Sequence, residues 1–174
     1  EDAERVLEVL PKRFEKYGLE LHPEKTRLVG FQRPSRNVKR PRPKPETFDL
    51  LGFTLYWGRS RRGNWVVKAK TAKDRLSRSL YNIHRWCRQN RHRPVAEQWE
   101  VLCRKMKGHY AYYGVTGNYD ALKAFFRGVR RRWRFWLSRR SQKGQMPWWR
   151  FAQVLQRLPL PQPRIMKPYV QPVT

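Results

Sequence analysis

The chain has 174 residues, with 40 Lys and Arg against 13 Asp and Glu and a net charge of +27. This length allows one ordinary domain or two small ones, and the hydrophobic fraction of 39% is low but sufficient for a core. The charge excess indicates a polyanionic partner, for which nucleic acid is the leading candidate. No apolar run approaches the ~20 residues of a membrane span, and no secretory signal pattern is present, so we expect no membrane partner.

The chain begins EDAERVLEVL, without Met and already inside an amphipathic helix pattern, so we expect a piece of a longer protein. Apolar residues recur at helical spacing over residues 3–17 and predict a helix that ends at Gly18. Pro11 lies inside this pattern and is expected to kink or divide the helix. Residues 19–31 are predicted to form a short strand, a turn centred on Pro23 and a second strand.

Residues 32–47 hold four prolines and almost nothing apolar, which predicts a basic linker or extended loop. The runs 48–57 and 64–70 are rich in β-forming residues and flank a cationic segment that contains Arg59–Arg62. They predict a β-hairpin with a basic tip.

From Thr71 onward the apolar spacing is helical. Thr71 and Asp74 resemble a capping box before the first of four predicted helices. The second helix follows Pro94 and is expected to stop at Gly108, the third begins near Tyr119, and a short fourth follows Pro147.

We therefore predict an α+β fold. A helix-plus-hairpin block (residues 1–70) precedes a mainly α-helical bundle (71–158) and an extended proline-rich tail (159–174). The two cysteines do not form a disulfide framework, which favours a reducing, cytoplasmic location.

The bundle is the most basic part of the chain, since residues 71–150 contain 20 Lys and Arg and four acidic side chains. In residues 127–144 the apolar side chains face one way and arginines cover most of the rest, without an acidic partner in the segment. A solvated helix face is the plain alternative, but the uncompensated arginines favour phosphate contact. The predicted RNA-binding residues are Lys105, Lys107, Tyr112, Asn118, Arg127, Arg130, Arg131, Arg134, Arg139, Arg140 and Lys143.

The segment GHYAYYGVTGN (108–118) concentrates tyrosines between glycines, at the predicted corner between the second and third bundle helices. Its aromatic rings have two possible roles. Tyr110 and Tyr113 are expected to fill the end of the bundle core with their hydroxyls reaching solvent, whereas Tyr112 and Asn118 are expected to contact RNA.

Metal-dependent phosphoryl transfer needs clustered carboxylates, and no close Asp pair occurs beyond the first twenty residues. Cys87 and Cys103 stand alone on apolar stripes, which favours burial over zinc binding. We predict no catalytic residue, no metal site and no cofactor in this chain.

Several motifs, taken in order, resemble the C-terminal part of reverse transcriptases encoded by group II introns, which also act as maturases. They are GLELHPEKTRLVGF (18–31), FDLLGFTLYW (48–57), GHYAYYGVTGN (108–118), SRRSQKG (138–144) and PLPQPRI (159–165). The resemblance spans essentially the whole chain.

The resemblance implies that residues 1–70 end a polymerase palm, with Lys25 near the phosphates of the incoming nucleotide. Leu51, Gly52 and Phe53 are similar to the primer grip, and the helical region is similar to the thumb, or maturase X domain. Implied partners are structured intron RNA, a primer–template duplex and the polymerase part that this sequence lacks, in a cytoplasmic ribonucleoprotein. The family's catalytic Tyr-Ala-Asp-Asp motif, whose Mg²⁺ the full-length polymerase needs, is not in this sequence, and Pro11 is unexpected in a palm helix.

Three functions remain open at this point. The first is an RNA-binding maturase module that helps the intron to splice and move. The second is part of an RNA-directed DNA polymerase whose catalytic Asp residues lie outside this sequence. The third is a basic protein that binds nucleic acid without specificity. A damaged, poorly folding remnant of the reverse transcriptase is a further possibility.

Overall fold

The computed structural model describes residues 2–23, 26–35, 37, 44–141 and 144–167. In this part of the chain it contains five helices and one three-stranded antiparallel sheet, so the predicted α+β class is confirmed. The elements in chain order are α1 (Asp2–Glu15), β1 (Phe48–Leu50), β2 (Phe53–Arg59), β3 (Trp65–Thr71), α2 (Lys73–Gln89), α3 (Val95–Tyr113), α4 (Tyr119–Leu137) and α5 (Trp148–Arg157). No helix of the described residues is long and apolar enough to cross a bilayer.

The chain divides into two compact units. One comprises residues 1–48 and 56–66, and the other comprises residues 49–55 and 67–174. The sequence instead predicts consecutive blocks of 1–70, 71–158 and 159–174. The units alternate along the chain because both strands of the β2–β3 hairpin contribute residues to each unit.

In the first unit, α1 is one continuous helix that contains Pro11, so the expected division does not occur. The helix ends at Glu15, and the turn that follows it closes at the predicted stop, Gly18, whose φ is +66°. The amide of Gly18 donates to the carbonyl of Glu15, and the amide of Leu19 donates to that of Phe14, which is the Schellman pattern. The strands predicted within 19–31 are absent from the described residues of that segment, where the short apolar runs lack pairing partners.

Aromatic side chains hold the rest of this unit together. The Phe31 ring stacks on that of Trp57 with 5.3 Å between centroids and meets Phe48 edge-on at 5.0 Å. The Trp65 indole donates to the carbonyl of Ser35 at 3.1 Å. These contacts bring segment 31–35 onto the hairpin residues of the same unit.

The second unit has a helical core around α4, which packs most closely on α2. Five side chains of α4 are buried and form one stripe, because their three- and four-residue spacing places them on a single face: Leu122, Phe125, Val129, Trp133 and Leu137. The Trp133 indole donates to the buried amide oxygen of Gln98 at 3.1 Å. The Gln98 amide nitrogen donates to the carbonyls of Arg91 and Arg93, which fastens the α2–α3 connection to the core.

Two local predictions about the helix ends are wrong. Helix α3 continues through Gly108 and ends at Gly114, because the tyrosines after Gly108 have core positions that prolong the amphipathic pattern. The capping box of Thr71 and Asp74 does not form either, since α2 begins after Ala72 without a side-chain cap. The Thr71 hydroxyl instead accepts a hydrogen bond from Asn118, 47 positions away.

Candidate nucleic-acid interface

The arginines of α4 are the main feature of the candidate interface. Because the buried stripe of α4 faces the core, the predicted residues of this helix lie outside that stripe. Arg127 and Arg131 are exposed and one helical turn apart, while Arg130 and Arg134 are half-buried. Helix α4 thus brings four of the predicted RNA-binding residues together on its outer surface.

Three of the predicted arginines rest on aromatic rings. The guanidinium carbon of Arg130 lies 5.6 Å from the ring centroid of Phe126. The corresponding distance is 4.2 Å from Arg134 to Trp148 and 3.9 Å from Arg139 to Phe135. Stacking of this kind restrains a guanidinium while its in-plane N–H groups remain available to acceptors.

Neutralising carboxylates lie elsewhere. Asp120 in the first turn of α4 pairs with Lys123 at 2.9 Å, and Asp74 at the start of α2 pairs with Arg75 at 3.4 Å. Within the described part of the chain, no carboxylate pairs with the α4 arginines or with Arg139 and Arg140. The positive charge of this surface is therefore uncompensated.

Arg139 and Arg140 follow the end of α4 and border a cavity of about 720 Å³. Two residues that the sequence analysis did not single out, Arg91 and Phe135, line it with them. Phe135 is one of several aromatic residues in this helix. Its four-residue spacing from Arg139 was the sequence signal that could have indicated a contact between the two side chains. Arg91 comes from the α2–α3 connection, so only the fold shows its position.

Two of the predicted lysines belong to α3. Lys105 and Lys107 are both exposed, and the Lys105 ammonium lies 5.9 Å from the Trp86 ring centroid. Lys25 and Lys143 lie outside the described residues.

Of the predicted primer-grip residues, Leu51 and Gly52 form the turn between β1 and β2, and Phe53 begins β2. Leu51 has a φ of +50° and is 76% exposed, and Gly52 has a φ of +79°. The Phe53 ring stacks on Tyr112 at 5.8 Å and meets Tyr113 at 5.3 Å. The Tyr112 hydroxyl donates to the carbonyl of Leu51 at 2.8 Å, so α3 supports this turn directly.

Asn118 was predicted to contact RNA, and the structure corrects this. Its side chain is 1% exposed. Its amide oxygen accepts from the Thr71 amide at 2.7 Å, and its amide nitrogen donates to the Thr71 hydroxyl and to the Tyr113 carbonyl, each at 2.8 Å. Asn118 therefore joins the end of β3 to the α3–α4 corner, and its burial removes its side chain from contact with RNA.

Tyr112 keeps an exposed ring, 49% accessible, so its ring remains available for stacking. Tyr110 is buried, and its hydroxyl donates to the Pro161 carbonyl at 3.2 Å instead of reaching solvent as expected. Tyr110 fixes residues 159–167 to the bundle, together with the bond from the Trp99 indole to the Pro159 carbonyl at 2.9 Å.

Burial governs the titration of groups inside this unit. Desolvation lowers the pKa of His109 to about 4, and its ring stacks on Phe125 with 3.7 Å between centroids. Burial raises the pKa of the Cys87 thiol to about 12 and also raises that of Cys103. Desolvation in the packed interior is the largest cause of each of these shifts. Among the described residues, no three His, Cys, Asp or Glu side chains are grouped to hold a metal ion.

Comparisons with protein-family models, with curated proteins and with solved structures give no match for this chain. Its likeness to group II intron reverse transcriptases consequently rests on the sequence motifs quoted above.

Proposed function

We propose that this chain is an RNA-binding module of the maturase type, belonging to a reverse transcriptase of the group II intron class. It binds structured intron RNA through the basic surface of its helical unit and thereby aids splicing and retrotransposition. The observation that carries the proposal is the arginine surface of α4 and of the two residues that follow Ser138, which has no carboxylate partner among the described residues. Phosphate groups are the ligands that such a surface accepts most readily.

In this proposal the helical region 71–158 is the thumb, and residues 1–70 end the palm. The β1–β2 turn supports the assignment of residues 51–53 as a primer grip, because Leu51 is exposed at its tip and the Tyr112 hydroxyl of α3 bonds to the Leu51 carbonyl. The intron RNA performs the splicing chemistry, and the protein stabilises its active fold by binding.

The experiment measures affinity against salt for a labelled group II intron transcript, by filter binding between 50 and 300 mM KCl. The logarithm of the binding constant is expected to fall steeply with the logarithm of salt concentration. Replacing both Arg127 and Arg131 by Gln is expected to reduce the magnitude of that slope by about 1.5, or roughly 0.7–0.9 for each phosphate group that is no longer neutralised. The matched control replaces Arg5 and Arg13, two exposed arginines of α1, and leaves the slope near the wild-type value.

Equal effects of the two double substitutions would refute a localised interface, because the binding would then follow net charge alone. Excess transfer RNA as competitor distinguishes the non-specific alternative: a maturase module retains the intron transcript, whereas a general nucleic-acid-binding protein releases it. Primer extension with Mg²⁺ tests the polymerase alternative, and activity of residues 1–174 alone would overturn the proposal.

A further inference from the structure

The cavity at the C-terminal end of α4 is lined mainly by basic and polar side chains. Its volume of about 720 Å³ is within the range of pockets that hold small ligands. No acidic residue is among the lining residues that the structure describes. The lining includes four arginines, one phenyl ring, one imidazole and two serines: Arg91, Arg134, Arg139, Arg140, Phe135, His92, Ser138 and Ser141.

Carbonyl groups hold three of these arginines in place. Arg134 donates to the Met146 carbonyl at 2.6 Å, and Arg91 donates to that of Arg88 at 3.2 Å. Arg140 donates to the carbonyls of His92 and Arg93, at 3.3 and 3.2 Å. Such bonds fix the guanidinium groups but leave their charge intact. A cluster of like charges around one cavity costs electrostatic free energy that an entering anion removes.

One buried donor in this cluster has no partner. The Arg134 Nε atom is inaccessible to solvent and makes no hydrogen bond within the described structure. The Ser138 hydroxyl meanwhile links the end of α4 to Met146, because it donates to the Arg134 carbonyl at 3.0 Å and accepts from the Met146 amide at 3.1 Å. The hydrogen bonds to Met146 therefore position Arg134 and Ser138 at the edge of the cavity.

Phe135 supplies an apolar surface beside these charges. Its ring is 38% exposed and lies 3.9 Å from the Arg139 guanidinium carbon. A planar base stacks readily on a phenyl ring or on a guanidinium. The pocket therefore offers both a phosphate site and a base-stacking surface within one cavity.

We infer that this pocket receives one unpaired nucleotide of a bulged or looped RNA. Its base stacks on Phe135, and its phosphate contacts the guanidinium groups of Arg91, Arg139 and Arg140. This inference rests on the proposed RNA-binding function and refines it, since it assigns part of the specificity to an extruded base.

The test uses the full chain and two labelled RNA hairpins that differ by one bulged uridine. Fluorescence anisotropy is expected to show tighter binding of the bulged hairpin. Phe135→Ala is expected to weaken that complex roughly tenfold, in line with the loss of one base–aromatic stack, and to leave binding of the fully paired hairpin within about twofold. Tyr81→Ala, at another exposed aromatic position of the second unit, is the matched control and affects neither hairpin.

A second measurement does not depend on a variant that must fold. With 2-aminopurine in place of the bulged uridine, binding of the wild-type protein is expected to shield the base from acrylamide quenching. Two outcomes would overturn the pocket while leaving RNA binding intact. One is full accessibility of the bound base to acrylamide, and the other is an equal loss of affinity for both hairpins with Phe135→Ala. Displacement of the bulged hairpin by micromolar uridine monophosphate would assign the pocket to a free nucleotide and also overturn the inference. Failure of either hairpin to bind at all would instead contradict the proposed function.

Discussion

Replacement of Asn118 by Ala tests whether this residue is a structural link, as the geometry shows, or an RNA contact, as its sequence context predicts. The substitution removes three hydrogen bonds at a site where Asn118 is 1% and Thr71 is 6% exposed. Each net hydrogen bond contributes about 1 kcal/mol, and the buried Thr71 amide left without an acceptor costs about 1–3 kcal/mol. Because these contributions overlap, we expect the free energy of unfolding to fall by about 3 kcal/mol.

A loss of this size lowers the Tm by roughly 6–12 °C for a chain of this length. Urea unfolding followed by circular dichroism, together with a thermal melt, measures both quantities. Asn82→Ala is the matched control, since Asn82 lies on an exposed face of α2, and its Tm is expected to stay within about 2 °C of wild type. An Asn118→Ala protein with unchanged Tm but weakened RNA binding at 10 °C would refute the structural assignment and restore the RNA contact.

Three further predictions concern the same unit. A Cβ at Gly108 meets nothing within 4 Å, whereas one at Gly114 collides with neighbouring backbone carbonyls. In urea unfolding, Gly108→Ala should therefore stabilise the protein by about 0.5–1 kcal/mol, and Gly114→Ala should destabilise it by about 1–3 kcal/mol. Changes of the same sign in the free energy of unfolding of both variants would contradict this packing. Burial lowers the pKa of His109 to about 4, below its usual 6.5, so the unfolded state binds the proton more readily. The free energy of unfolding should therefore decline by on the order of 2 kcal/mol as the pH falls from 6.5 towards 4. His109→Phe should flatten this decline in urea unfolding measured at several pH values. Because burial raises the pKa of Cys87 to about 12, its thiol should stay unreactive towards Ellman's reagent at pH 8 until guanidinium unfolds the chain, and rapid labelling of the native protein would show that the thiol is accessible.

The elements that the sequence predicted well are those specified by local periodicity. Helix α4 begins at Tyr119 and α5 at Trp148, as their apolar spacing and the preceding turn or proline indicated. The β2–β3 hairpin likewise follows from two runs of β-forming residues around a basic turn, although a turn at Leu51 and Gly52 divides the first run, 48–57, into β1 and β2. In each case the information lies within a few residues of the element.

The two wrong predictions about helix ends share a cause, which is that a contact distant in the sequence outweighed a local signal. Gly108 is a plausible helix end by composition, but Tyr110 beyond it is buried against the bundle and bonded to Pro161. Thr71 is a plausible helix cap, but its hydroxyl is engaged by Asn118. Neither Pro161 nor Asn118 is recognisable as a partner from the sequence around these positions.

The sequence alone determined that the chain is an α+β protein with a strongly basic helical region, because charge and apolar spacing are local properties of the residues. Only the tertiary structure decided which basic and aromatic side chains act together. It placed Arg91 beside Arg139 and Arg140 around one cavity, and it buried Asn118. The physical reason is that a binding pocket depends on side chains from separate segments, whose approach is set by the packing of the core between them.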